Sequence, residues 1–441
     1  RLRFVCPSPE ALVYNITSYP VCQHLFLLRI RFLGRFLRFP AYAYRMKKMM
    51  RFFLLALLVL ALALAHSAAK HLPAPPDGIA QQKYAGWSGV LRLWVYTDWQ
   101  TGTGSLATWL NRCTSAFEKR HPGVYIQTRA VSQETLAAFA QGEINPPDFI
   151  VFSPGALESA AHLFPVEGDV LPGLARCGQE GGANCAVPIA MGGYAWACRA
   201  GLSPAETFAG RTLLAPVDKA GNCAALIALC AGTYTTASEA VPKAGTGMDL
   251  GLPTAAPAAT SAPLRAAESE GIPLPTGFSF DEGAYSAFVR NEADAILVTQ
   301  RELCQLRAAS EAGGAPDWTA YTGEPFTDQL ALFAIVDWPR EDIAARRALG
   351  EELLAHLLSE ESQAELTRVH ALRTTPGEAL YGAQNGMAQL EAAYLSSRVL
   401  APNAFDTSWQ TSVQTIFALF SEGRVRAGTA YESLAAELLA R

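Results

Sequence analysis

From residue 87 onward the hydrophobic positions form short dense runs, separated by stretches in which they recur every three or four residues. VLRLWVY (90–96) is β-branched and aromatic and reads as a strand. Leu106, Trp109, Leu110, Cys113 and Phe117 follow at helical spacing, with Ser105 as N-cap and His121-Pro122-Gly123 as the stop. VYIQT (124–128) predicts a second strand, ETLAAFAQG (134–142) a helix ending on glycine, DFIVF (148–152) a third strand and PGALESAAHLF (154–164) another helix. Strands and helices alternating through short connections imply an α/β fold with a mainly parallel sheet. In such sheets ligands sit outside the carboxyl ends of the strands. The loops there are Thr97-Asp98-Trp99-Gln100-Thr101 and Ser153-Pro154-Gly155. Both offer hydroxyls, and the first adds a carboxylate and an indole.

Periodicity weakens over 233–276, where Ala, Thr, Pro and Gly dominate, and an irregular surface excursion is expected. SAFVRNEADAILVTQREL (286–303) restores order as helix then strand, and QLALFAIVDWP (329–339) predicts a further strand. Residues 339–369 read as one long amphipathic helical region with acids near its start, and the chain from Met387 as almost wholly helical.

One apolar run has no such partner. RMKKMMRFFLLALLVLALALAHSAAK (45–70) places Lys47, Lys48 and Arg51 before fourteen apolar residues, Phe52 to Ala65, and then small residues. That is the layout of an export signal, and it falls short of the ~20 residues a membrane-spanning helix needs. A cleavable signal over 46–69 is expected, with an uncleaved anchor as the alternative. No cysteine follows the run, so nothing supports lipid attachment there. Residues 1–45, basic and apolar with Glu10 as the one acid, read as an upstream extension before a start at Met46, Met49 or Met50. The other reading is a tract lying on a membrane surface.

Removing the leader changes the electrostatics. Residues 1–69 hold ten Lys/Arg and one acid, so the net charge of −5 becomes −14 for the remaining 372 residues. A body this acidic argues against nucleic acid or anionic lipid as partner. Its length exceeds what one core serves, and two lobes are expected. Seven of the nine cysteines lie beyond the leader. Cys177 and Cys185 bracket the glycine-rich CGQEGGANC as a candidate disulfide, while CAALIALC (223–230) offers either a second pair or a helix with two buried thiols.

Few motifs carry chemistry. GTGSLA (102–107) follows a strand but is a poor dinucleotide fingerprint, with Thr128-Arg129 where an acid should close the second strand. No metal-ligand spacing, nucleophile elbow or phosphate loop occurs, and the histidines are scattered. The chain does not read as an enzyme; Asp98 is the sole acid–base candidate.

The order of segments is more informative. LRLWVYTDW, SAFEKRHPGVYIQTRAV and LAAFAQGEINPPDFIVFSPGAL together resemble the N-terminal part of the extracellular solute-binding proteins of ABC importers, the group that includes maltose-binding protein. AVPIAMGGYAWACRAGL (186–202) resembles that family's crossing strand, with Cys198-Arg199 where Tyr-Asn is common. FVRNEADAILVTQREL and ALGEELLAHLLSEESQAELTRVHALRTTP resemble later segments, with Asn291-Glu292-Ala293 where a glycine is usual.

The resemblance spans about 87–441 and implies a two-lobed clamp, each lobe a mainly parallel sheet flanked by helices. Lobe 1 would comprise 87–190 and 325–370, lobe 2 would comprise 191–324 and 371–441, and 70–86 would be a linker. Crossings near 186–191, 321–325 and 371–376 would form the hinge. Asp98, Trp99, Thr101, Ser153, Tyr194 and Thr299 would line the cleft, and Trp409 would stack on a sugar ring. Trp196 and Cys198 read as core. The implied role is capture of a polar organic solute, with a sugar as the favoured class, and its delivery to a membrane permease. The protein would be a monomer without cofactor or metal, in the periplasm or on the outer face of the cytoplasmic membrane. A membrane-anchored receptor or sensor of the same fold is the alternative. Intact-mass measurement of the exported chain separates the two, since a cleaved signal gives a mass starting within residues 66–70 and an anchor one starting at Met46.

Overall fold

A computed structural model describes residues 87–202, 211–232, 274, 277–382 and 386–440, all within a single unit, Ile79–Arg441. The leader, the 70–86 linker and most of the 233–276 excursion lie outside the described residues. Two five-stranded sheets dominate. The first runs β2 (Val124–Ala130), β1 (Gly89–Val95), β3 (Phe149–Phe152), β12 (Leu330–Ile335), β6 (Val187–Met191). The second runs β9 (Phe278–Phe280), β8 (Leu213–Ala215), β10 (Ala295–Thr299), β7 (Tyr194–Arg199), β11 (Trp318–Tyr321). A short hairpin, β4 (Gln179–Glu180) with β5 (Ala183–Asn184), stands apart.

The sheets share one topology. In each, three parallel strands are ordered second–first–third, a fourth runs against them, and the fifth runs against the fourth. Four of five strands in each sheet therefore point one way. The reversed strand is β12 in the first sheet and β7 in the second, and each is entered directly from the other sheet's edge strand, β11 or β6. These exchanged strands join the sheets. β6 passes to β7 through Gly192-Gly193, β11 passes to β12 through 322–329, and Leu372 pairs with Met191 at a third meeting point. The chain thus passes between the sheets within a few residues of the first two expected crossings.

Local sequence accounts for most elements. α1 (Leu106–Arg120) is capped by the Ser105 hydroxyl, which accepts from the Thr108 amide, and ends in Lys119 and Arg120 beside the C-terminal carbonyls. Its apolar stripe covers the first sheet, and the fully buried Trp109 donates to the Ser362 carbonyl at 2.8 Å. α2 (Gln133–Ala140) closes the β2–β3 connection, with Phe139 edge-on to Trp94. α3 (Ala220–Ala231) is apolar on every side because it is buried on every side, between the second sheet and the C-terminal helices α9 (Trp409–Ser421) and α10 (Ala427–Leu439). Cys223 and Cys230 are buried thiols on this helix.

Two predicted helices change. Residues 154–164 form turns: Gly155 is left-handed at φ +78°, and the Ala160 and Ala161 amides are taken by the Glu180 carboxylate and Ser159 hydroxyl. The 339–369 region breaks at Leu358-Ser359 into α6 (Ile343–Leu357), α7 (Glu360–Ala364) and a 3₁₀ turn (Glu365–Val369), because Ser359 caps a new helix through the Ser362 amide. Beyond Met387, α8 (Met387–Ser396) is separated from α9 by extended chain that bridges Phe326 at Leu400.

The candidate disulfide is also corrected: Cys177 and Cys185 are both free, buried thiols. In the β4–β5 register Gln179 faces Asn184, and one step back the Cys185 amide donates to the Gly178 carbonyl at 2.8 Å. Cys185 thus stands opposite Gly178, while Cys177 lies in the turn before β4, its amide donating to the Leu174 carbonyl at 3.1 Å. Backbone pairing alone closes the loop. Alkylation followed by peptide mapping of unreduced protein should therefore find both as thiols, and reductant should leave the melting temperature within ~1 °C. A bond closing so short a loop is worth ~2–3 kcal/mol, and its loss would be visible.

Candidate functional site

In each sheet the strand order reverses beside the first strand, so the loops leaving the carboxyl ends there diverge and leave a crevice. In the first sheet the loop after β1 carries Asp98, Trp99 and Gln100. In the second, the loop after β8 carries Pro216, Val217 and Lys219, and β10 ends at Thr299 where α5 (Gln300–Glu311) begins. These loops face each other around a hollow of about 450 Å³, completed by Tyr194, Asn222, Arg301, Glu302, Gln305, Asp328 and Gln329. That volume suits a small organic ligand. A second hollow, of about 590 Å³, lies over β1, β2 and α2, away from these strand ends.

Of the seven residues expected in the cleft, Asp98, Trp99, Tyr194 and Thr299 line it. Ser153, fully buried, accepts from the Asp98 amide at 3.1 Å and so fixes the β1 loop from beneath. Thr101 is buried and directs its hydroxyl to the Thr103 carbonyl at 3.2 Å. Trp409 is buried at the start of α9, its ring 6.4 Å from that of Phe326, and is not part of the lining. Trp99 presents only an edge, since its indole nitrogen donates to the Leu330 carbonyl at 3.0 Å. Trp196 and Cys198 are fully buried.

The cleft floor is made where the chain crosses between sheets. Gln300, fully buried, accepts from the Gly193 amide at 3.1 Å and donates to the Gln100 carbonyl at 3.0 Å, tying the second sheet's α5 to the first sheet's loop. Thr299 and Glu302 form a capping box in which the Glu302 carboxylate accepts the Thr299 amide at 2.8 Å and hydroxyl at 3.0 Å. Burial raises the Glu302 carboxyl above its ordinary range, and these bonds from Thr299 partly offset that.

Asp328, which sequence reasoning missed, is a carboxylate of the hollow bonded to Tyr194. The Tyr194 hydroxyl donates to its Oδ1 at 2.7 Å, and Oδ2 lies against the N-terminus of α3, where a β-carbon on Gly221 would overlap it. Burial lifts its pKa to about 6; the Tyr194 bond opposes the rise, Asp98 adds to it and Lys219 weakly offsets it. Burial and the neighbouring Asp328 carboxylate hold the Tyr194 hydroxyl well above the usual phenol range. A polar Thr-Asp-Gln triplet (327–329) directly before an apolar strand was the available signal, but the crossing was expected to end before it, at Pro325.

No protein-family model and no curated protein matches the sequence. Solved structures do. A cyclo/maltodextrin-binding protein complexed with maltotetraose superposes with a TM-score of 0.50 at 12% identity, over 80% of this chain and 97% of the other. The protein has the solute-binding-protein fold. A cyclic α-maltosyl-1,6-maltose binding protein from Arthrobacter globiformis gives 0.49 at 13% identity, over 80% and 99%. The GacH receptor of Streptomyces glaucescens gives 0.47 at 14%, over the same shares. At these identities the likeness is one of fold, and in this solute-binding fold the hollow lies between the two sheets.

Asp328 sets a pH dependence whose sign is opposite to that of a salt-bridged carboxylate. Its folded pKa of about 6 exceeds the unfolded ~3.9, so its favourable contribution is complete below pH ~4 and disappears as pH rises through 6. Asp328→Asn keeps an acceptor for Tyr194 and removes the charge. The variant should melt ~2 °C above the parent at pH 7.5 and level with it at pH 4. A variant less stable than the parent at pH 7.5 would show the carboxylate to be a net stabiliser.

Proposed function

We propose that the protein is an exported solute-binding protein that captures a polar organic solute, a sugar by class, in the cleft between its sheets. It then delivers the solute to an ABC importer. The observation that carries this reading is the meeting of both sheets' switch-point loops around one hollow of about 450 Å³. The fold neighbour named for maltotetraose supports the sugar class. Asp98, Asp328, Gln305 and Gln329 would take a sugar's hydroxyls, and Tyr194 would cover an apolar ring face.

In this reading residues 87–190 with 325–370 and residues 191–324 with 371–441 act as two lobes. They close about Gly192-Gly193, the 322–329 connection and the 371–376 segment. The protein works as a monomer outside the cytoplasmic membrane, presents its loaded form to a permease and catalyses no reaction. A thermal-shift panel of mono- and oligosaccharides on the full chain tests the reading. A sugar at a hundredfold its Kd should add ~2.7 kcal/mol to stability, a shift of several degrees. No shift from any sugar, with a parental melting transition intact, would overturn it.

A further inference from the structure

Asp328 has an acceptor's place but no cation. Its single side-chain hydrogen bond is the Tyr194 phenol, and it forms no ion pair among the described residues. Asp98, from the opposite sheet, lines the same hollow, is exposed, and likewise has no carboxylate partner among the described residues. A carboxylate drawn partly out of water, as Asp328 is, normally meets an Arg, a Lys or a metal. Here the two candidate cations do not serve. Lys219, at the rim, is exposed and its pull on Asp328 is outweighed by the push of Asp98. Arg301 lines the hollow and forms no ion pair with Asp328 among the described residues. Glu302 adds a third carboxylate, already committed to the α5 cap. The carboxylates that line the hollow therefore come from both sheets.

Backbone design keeps the carboxylate where it is. Gly221 leaves room for Oδ2, where any side chain would collide. The Tyr194 amide is itself held by the Tyr394 hydroxyl at 3.1 Å, so the phenol that orients Asp328 has a fixed base. This is a rigid, ligand-facing acceptor that weakens the empty protein, a pattern expected of a functional group.

We infer that Asp328, acting with Asp98 across the cleft, is the specificity-determining residue and selects a solute that brings a protonated amine to the space between the two carboxylates. This rests on the cleft being the sugar site proposed above, and makes the preferred class an amino sugar. A cation there faces Asp98 from the β1 loop, Asp328 from the crossing segment and the Tyr194 oxygen from β7. A neutral sugar brings no charge to set against the two carboxylates that line the hollow.

The test is calorimetric titration of the full chain at pH 7 with the β-1,4-linked glucosamine disaccharide and with its N-acetylated, uncharged counterpart, alongside putrescine. The charged disaccharide should bind at least ~10-fold more tightly than the neutral one. Asp328→Asn and Asp98→Asn should each remove most of that ratio while melting no lower than the parent by more than ~2 °C. Equal or tighter binding of the neutral disaccharide, or a ratio unchanged in both variants, overturns the inference and leaves the sugar reading standing. Putrescine binding that depends on Asp328, without binding of any sugar, upholds selection of a protonated amine but overturns the sugar reading and with it the amino-sugar class. Binding of none of the three overturns the inference, and the saccharide panel then judges the sugar reading separately.

Discussion

Everything in the molecule depends on two sheets being joined where side chains have no room. A β-carbon on Gly192 would lie 2.6 Å from the Gln300 amide oxygen, and one on Gly193 would lie 2.9 Å from the Tyr394 ring. The second crossing is as tight. A β-carbon on Gly323 would sit 2.6 Å from the Leu229 Cα, and the Glu324 amide donates to the Ala228 carbonyl at 3.1 Å. The 322–329 connection therefore lies backbone to backbone along α3, from Gly323 at the helix C-terminus to Asp328 at its N-terminus. Because each sheet's reversed strand comes through one of these crossings, the position of the cleft loops is set by contacts that tolerate almost no variation.

That rigidity explains how a charged group is kept at the cleft floor against its own preference. Asp328 is oriented by one phenol and the start of one helix, and its carboxyl is pushed toward neutrality by burial before any neighbouring charge is counted. Elsewhere the protein pairs such groups. Asp148, nearly as buried as the core around it, meets both Arg340 and Arg346 at 2.6 Å, and Arg346 also holds Asp342. A doubly paired carboxylate braces the first sheet, whereas Asp328, beside the hollow, has no ion-pair partner among the described residues.

Much of the first sheet was legible because its signals are local. Ser105 and the stripe from Leu106 to Phe117 became α1, and VLRLWVY and VYIQT became strands paired in parallel. The failures share a cause. PGALESAAHLF has helix-forming residues, yet Glu180, some twenty residues on, takes one of the amides a helix would have used. CGQEGGANC has disulfide spacing, yet its two cysteines are free, buried thiols at the ends of a backbone-paired hairpin. Trp409 has the residue type of a stacking tryptophan, yet Phe326 from a crossing segment covers it.

The sequence by itself determined most of the elements, the α/β class and the loops at the strand ends that line the hollow, because capping, periodicity and strand composition act over a few residues. Only the tertiary structure decided which polar groups meet there. Asp98 and Asp328 are 230 positions apart, and nothing in either neighbourhood encodes the other; their encounter follows from strand exchange between sheets, which no local pattern records.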